Sequence, residues 1–361
     1  MKAYVLRGIG QLDFTEVPMP KPKSGWAIVQ VKAAGICGSD IPRIFQTGTY
    51  HFPTIPGHEF AGRVVDVFDE KDRAWVGKPV GVFPLIPCGE CFVCKEGAYE
   101  MCRNYDYLGS RRDGGFAEFV AVPVWNLIAL PEEMRMEEAA MLEPASVALH
   151  ALKRLTITPE DTVALFGLGT IGILLTQWLR IFGVEKVYAA GHNRRHGEMM
   201  KLTASKHYEY ISAGGSEEEA DFVQDVVSRV MQKTGGEGVS IAIDCAGTEE
   251  TLANCIRCSR PGGQILAVGN PKGDLALDKN TYWKILRNQI RLTGTWNSSF
   301  CHSPEDDWHQ TIEACRGKKL CLSELITHRF AFGELKKGLA IAKDRLEYHN
   351  KIIICESYCK A

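Results

Sequence analysis

The ten residues from Val163 to Gly172, Val-Ala-Leu-Phe-Gly-Leu-Gly-Thr-Ile-Gly, restrict the fold of this chain more than any other stretch. Four apolar residues make a short buried strand, and Gly167, Gly169 and Gly172 follow at G-x-G-x-x-G spacing. Ile173, Leu174, Leu175, Trp178, Leu179 and Phe182 then recur at helical period. Each glycine has a separate task. Gly167 permits a tight turn, Gly169 lets backbone approach a pyrophosphate, and Gly172 lets the helix pack closely on its strand. The helix opening at Thr170 and Ile171 offers unpaired N–H groups and a partial positive charge to phosphates. A glycine triplet alone is weak evidence. The strand before it and the helix after it make this one a candidate dinucleotide site, with a chance glycine-rich turn as the alternative.

The 361 residues are enough for two domains, each with its own core. A formal net charge of −2 argues against a chain that grips nucleic acid or a membrane surface through a basic face. No apolar run approaches a membrane span, and the first residues lack the apolar core of a signal peptide, so a cytoplasmic enzyme is expected. Residues 1–130 read as short strands broken by Gly and Pro, as in a small irregular barrel. From Met134 the pattern turns helical. Between about 160 and 290 strand and helix alternate, with strands expected at Val163–Phe166, Lys186–Ala190, Ser240–Asp244, Gln264–Val268 and Ile290–Gly294. That alternation predicts a parallel sheet with right-handed crossovers. A last strand, Lys351–Cys355, is expected to pair back with the N-terminal barrel.

Four of the thirteen cysteines, Cys88, Cys91, Cys94 and Cys102, crowd into one loop. This spacing suits a tetrahedral zinc with four sulfur ligands, a closed shell with no place for substrate. Buried reduced cysteines fit poorly among Gly, Glu and Lys, and an iron–sulfur cluster is the other metal reading. Cys37, His58 and Glu143 are far apart in sequence, so only a fold can gather them. Cys37 follows a strand and opens a glycine turn. His58-Glu59 follows Pro56-Gly57, and Glu143-Pro144 lies at the join of the two candidate domains, where ligand clefts tend to form.

Taken together, Cys37-Gly-Ser-Asp40, Gly57-His-Glu-x-x-Gly-x-Val64, the four-cysteine loop, Glu143-Pro144 and the glycine triplet resemble the zinc-dependent medium-chain dehydrogenase/reductase family over nearly the whole chain. The resemblance implies an α/β protein: a GroES-like β-barrel catalytic domain (1–147 and 296–361) and a Rossmann doubly wound coenzyme domain (148–295), with the active site in the cleft between them. It implies two zinc ions, one structural and one catalytic. Cys37 and His58 become catalytic ligands, with Glu143 as third ligand and Glu59 exchanging with it or with water. Glutamate at 143 is similar to the polyol dehydrogenases. Ser39 is implied to bond the substrate oxygen and take its proton while hydride passes to a nicotinamide. Cys245, Gly247, Val268 and Gly269 are implied to line the nicotinamide end, with plain strand-end turns as the alternative. A homodimer or homotetramer is usual in the family.

A narrower likeness is to family members that oxidise a hexitol phosphate, galactitol 1-phosphate, to tagatose 6-phosphate. It rests on Cys37–Phe45, Tyr105–Glu118, Lys284–Arg287 and Gly294–Ser299. Arg43, Arg111, Arg112 and Lys284 lie in these stretches and are candidate phosphate partners; Arg43 and Trp296 join Ser39 and Glu143 as expected substrate contacts. An unphosphorylated polyol or a cyclitol is the alternative substrate. Two positions depart from the family. Pro42 stands where many members carry a relay histidine. Gly191 stands where NAD enzymes of this fold place an acid for the ribose 2′-hydroxyl, and His192, Asn193, Arg194 and Arg195 follow it. A 2′-phosphate would gain charge-assisted bonds there, so NADP(H) is expected over NAD(H).

Overall fold

The computed structural model describes residues 1–214, 226–271, 273–345 and 347–356. Cys359, the thirteenth cysteine, lies outside the described residues. The chain divides into two compact units: Met1–Glu143 with Ser299–Ile312 and Leu322–Ala361, and Pro144–Ser298 with Glu313–Cys321.

In the second unit six parallel strands lie in the order Glu209–Ser212, Lys186–Gly191, Thr162–Phe166, Val239–Asp244, Ser259–Ala267, Arg291–Gly294. The strand order reverses beside Thr162–Phe166, which makes the carboxyl ends of that strand and of Val239–Asp244 the expected crevice for a ligand. Val163, Ala164, Leu165 and Phe166 are all buried, as an inner parallel strand requires. The helix Thr170–Ile181 covers it with Ile173, Leu174, Leu175 and Leu179, and buried Trp178 satisfies its indole N–H on the Ala145 carbonyl at 3.0 Å. The strands expected from sequence are present. The sequence reading misses Glu209–Ser212, a short edge strand of mixed burial, and starts one strand late. Ser259–Ala267 begins before the Pro261-Gly-Gly interruption, and its register against Val239–Asp244 slips there.

The first unit is built round the long strand Trp26–Ile36. It pairs antiparallel with Glu59–Val67, Phe119–Pro123 and the last strand, Lys351–Cys355. Register shifts after Ile28 and Val31 bend it, as bulges do. Gly62 lies where a Cβ would collide with the Gln30 carbonyl, so the second glycine of the Gly57-His-Glu-x-x-Gly62 run serves strand contact. Ile326–Ala331 extends the sheet on one side; Pro79–Val82 and Leu127–Ala129 extend it on the other. No helix among the described residues is long and apolar enough to cross a membrane.

The three glycines of the fingerprint behave separately. Gly167 has φ +101°, a Cβ at Gly169 would meet nothing within 4 Å, and a Cβ at Gly172 would collide with the Gly167 carbonyl. Gly172→Ala is therefore expected to force the helix off its turn and cost about 1–3 kcal/mol. Urea unfolding beside Gly169→Ala checks this; equal stability of the two variants would refute it.

Candidate functional site

The first unit gathers two groups of metal-ligating side chains. In the loop after Ile86, the sulfurs of Cys91 and Cys94 lie 3.5 Å apart, and Cys88–Cys94 and Cys91–Cys102 are each 4.0 Å apart. A tetrahedron with Zn–S bonds of 2.3 Å spaces its sulfurs roughly 3.8 Å apart, so the four thiols fit zinc. The Cys88 N–H also donates to Cys102 Sγ at 3.2 Å. Neighbouring backbone N–H groups at Arg103 and Cys94 hold the Cys91 thiol down at about 6, while burial pushes Cys94 up to about 12.

The second group is Cys37, His58 and Glu59, whose ligand atoms all lie within 4.8 Å of one another. Strand geometry explains the meeting. Trp26–Ile36 delivers Cys37 at its end, and the antiparallel neighbour starts at Glu59, opposite Gly35. Thiolate, imidazole and carboxylate together are a donor set that zinc accepts. Ser39 Oγ lies 3.3 Å from Cys37 Sγ. Glu143 falls outside the close group but shares its field: burial pushes its carboxyl up to about 7, with His58 pulling down and Glu59 pushing up.

Three residues at this centre received no role from the sequence. Asp40, fully buried, places Oδ1 3.4 Å from His58 Nδ1, accepts the Cys37 N–H at 2.9 Å, and pairs with Arg43 at 3.3 Å. With Asp40 behind Nδ1, Nε2 is the ring nitrogen left for an ion, an arrangement common to histidine metal ligands. Burial opposes a charged His58, yet the Asp40 carboxylate and the Cys37 sulfur hold it well above its usual value. Tyr107 stacks obliquely near His58 at 5.9 Å, its hydroxyl raised by burial and then by Glu143 and Cys37. Lys351, from the last strand, forms a buried ion pair with Glu59 and donates to the Ile36 carbonyl at 3.2 Å. Gly35 leaves room for that pair, because a Cβ there would collide with the Glu59 carboxylate. The motif Cys37-Gly-Ser-Asp40 could have suggested Asp40; nothing local marks Lys351.

The other candidates are distributed as follows. Arg111 and Arg112 lie in the first unit, Lys284 and Trp296 in the second. In the second unit Gly191 ends its strand and accepts the Tyr210 hydroxyl on its carbonyl at 2.6 Å. Asn193 caps the helix Arg194–Thr203 by accepting the Arg195 N–H, His192 Nδ1 lies 2.8 Å from the Gly214 carbonyl, and Arg194 and Arg195 are exposed. Asp244, a further residue without a sequence signal, accepts the N–H groups of Ala246 and Gly247 through its carboxylate, and its carbonyl accepts those of Val268 and Gly269. That one residue ties together the turns holding Cys245, Gly247, Val268 and Gly269 at the carboxyl end of the sheet.

Residues 23–132 match the model of the alcohol dehydrogenase GroES-like domain, and residues 170–316 match that of the zinc-binding dehydrogenases. Galactitol 1-phosphate 5-dehydrogenase of Escherichia coli (strain K12) is 33% identical over 334 residues, 92% of this chain and 93% of that protein. The chain belongs to the zinc-dependent medium-chain dehydrogenases. Sorbitol dehydrogenase of Bacillus subtilis is 30% identical over 276 residues, 75% of each chain. The crystal structure of the Escherichia coli galactitol-1-phosphate dehydrogenase superposes with a TM-score of 0.84 at 30% identity, covering 98% of this chain and all of that one. The protein is thus an oxidoreductase of the alcohol and polyol dehydrogenase family, with the GroES-like and Rossmann architecture expected from sequence.

The Glu59–Lys351 pair gives a test of the centre's construction. Both side chains are almost wholly buried, at 1% and 3% exposure. Lys351→Met leaves an uncompensated carboxylate and is expected to cost about 3–5 kcal/mol in unfolding free energy. The double variant Lys351→Met/Glu59→Gln should recover a large part of that loss; additive losses in a denaturant-measured cycle would contradict the pairing.

Proposed function

We propose that this dehydrogenase oxidises a secondary alcohol of a polyol phosphate, with galactitol 1-phosphate the favoured substrate, and uses NADP(H) in preference to NAD(H). The observation that carries the substrate reading is the 33% identity over 92% of the chain to an enzyme named for galactitol 1-phosphate. Cys37 and His58 would hold the catalytic zinc together with Glu59 or Glu143, and the four-cysteine loop would hold the structural zinc. When bound, zinc supplies Lewis-acid polarisation of an alcohol and the nicotinamide accepts hydride. The chain's own part is positioning and proton handling. Asp40 orients His58, Ser39 Oγ accepts the substrate hydroxyl proton as it passes its own on to solvent, and Glu59 and Glu143 place two buried carboxyl groups beside it. Pro42 cannot relay a proton, so none passes through that position.

In this reading the first unit carries substrate and metals and the second carries the coenzyme, with the helix Thr170–Ile181 opening toward the pyrophosphate. No carboxylate stands at Gly191 to repel a 2′-phosphate. Arg194 is 85% exposed and its ion pair with Glu198, at 3.4 Å, lies in solvent, where such pairs contribute little. Both arginines start a helix, where an added anion is also favoured by the helix dipole. The second reading, an unphosphorylated polyol, draws on the likeness to a sorbitol dehydrogenase. A homo-oligomer completes the proposal: the edge strand Arg291–Gly294 leaves Leu292 52% exposed.

With galactitol 1-phosphate, turnover is expected to be faster with NADP than with NAD. Arg194→Ala/Arg195→Ala should raise KM for NADP on the order of 10- to 100-fold and change that for NAD little. A wild-type preference for NAD would overturn the cofactor assignment, and faster turnover of free galactitol or sorbitol would replace the substrate. Metal analysis should find two zinc ions per chain and one in Cys91→Ser; two zincs retained in that variant would refute the structural site.

A further inference from the structure

The four basic candidates for a substrate phosphate have different surroundings. Arg43 is paired with Asp40 at 3.3 Å and serves the metal centre. Arg112 is paired with Asp106. Lys284 lies in the second unit and donates to the Arg257 carbonyl. Arg111 is the one in the first unit with no carboxylate partner among the described residues. Its guanidinium lies between two aromatic rings, 4.1 Å from Tyr50 and 4.4 Å from Tyr105. Nη1 donates to the Tyr105 carbonyl at 3.3 Å, and the Nε–H is enclosed with no acceptor. Stacking of this kind holds the guanidinium in place with no carboxylate to neutralise it, so its charge remains available to a phosphate.

The same residue is tied to the metal centre by backbone. The loop that carries it runs between Gly109 and Gly114, and both glycines press on Gly57, the residue before His58. A Cβ at Gly109 would lie 2.6 Å from the Gly57 carbonyl, and one at Gly114 would collide with it. His51 braces the loop, with Nε2 2.9 Å from the Arg111 carbonyl. A row of rings then joins the two places: Tyr105 lies 6.2 Å from Tyr107, and Tyr107 lies 5.9 Å from His58. Tyr50, which stacks on the guanidinium, is 68% exposed, so this end of the row lies at the protein surface.

We infer that Arg111, clamped between Tyr50 and Tyr105, is the anchor for the substrate phosphate and sets the selectivity for a phosphorylated over a free polyol. This rests on the polyol-phosphate reading above. The test measures kcat/KM for galactitol 1-phosphate and for galactitol in the wild type, Arg111→Gln, Arg111→Lys and Arg112→Gln, all zinc-loaded. In Arg111→Gln the ratio of the two constants is expected to fall on the order of 10- to 100-fold, the loss of one charge-assisted contact. Arg111→Lys should keep part of the ratio through its charge, and Arg112→Gln should keep all of it. A merely structural Arg111 would lower both constants together and leave the ratio unchanged, which overturns the inference. So does a ratio that falls in Arg112→Gln alone. A wild type with no preference for the phosphorylated substrate defeats the polyol-phosphate reading and the anchor with it, whereas a preference retained in Arg111→Gln defeats the anchor alone.

Discussion

The buried ion pair between Glu59 and Lys351 is the interaction on which the first unit turns. It joins three strands at one point: Glu59 opens one, Lys351 opens another, and the Ile36 carbonyl that Lys351 also bonds ends the third. Two charges with almost no solvent are unfavourable unless geometry and hydrogen bonding compensate. Gly35 supplies the space and Ile36 the extra acceptor. The pair thus fixes where Cys37 emerges from its strand and where His58 precedes the next one.

That arrangement also explains the local charge pattern. Cys37, Glu59, Asp40 and Glu143 bring four groups that can carry negative charge to one small volume, against His58, Lys351 and Arg43. Burial, and after it Glu59, pushes Glu143 toward its neutral form, while Asp40 and the Cys37 sulfur overcome burial to push His58 toward its charged one. A divalent cation would relieve that imbalance, the usual electrostatic reason for acids and a thiol to converge in a buried place. The four-cysteine loop reaches a similar end by different means, with backbone N–H groups supporting the sulfurs.

Sequence alone conveyed what depends on neighbours in the chain. Gly167, Gly169 and Gly172 could be assigned separate tasks because a turn, an open face and a helix contact are all set within six residues. The cysteine loop was legible from spacing. Cys37 and His58 could be brought together through the family resemblance. Lys351 could not, since its meaning lies in a partner almost the whole chain away, and Asp244 looked like the polar end of a strand. Arg111 and Arg112 are adjacent and chemically identical, and only their surroundings, two rings in one case and a carboxylate in the other, separate them. The strand Glu209–Ser212 was lost because an edge position of mixed burial has no clear alternation.

The order of synthesis gives the ion pair a further meaning. Glu59 leaves the ribosome early, and its counter-ion Lys351 follows only after the whole second unit has been made. Until then the strand beginning at Glu59 has a carboxylate with no partner, and burying it is unfavourable. The unit that starts first therefore cannot finish first. The Rossmann unit, whose sheet needs no residue beyond Cys321, is free to form while the chain is still growing, and the metal-binding unit is completed last.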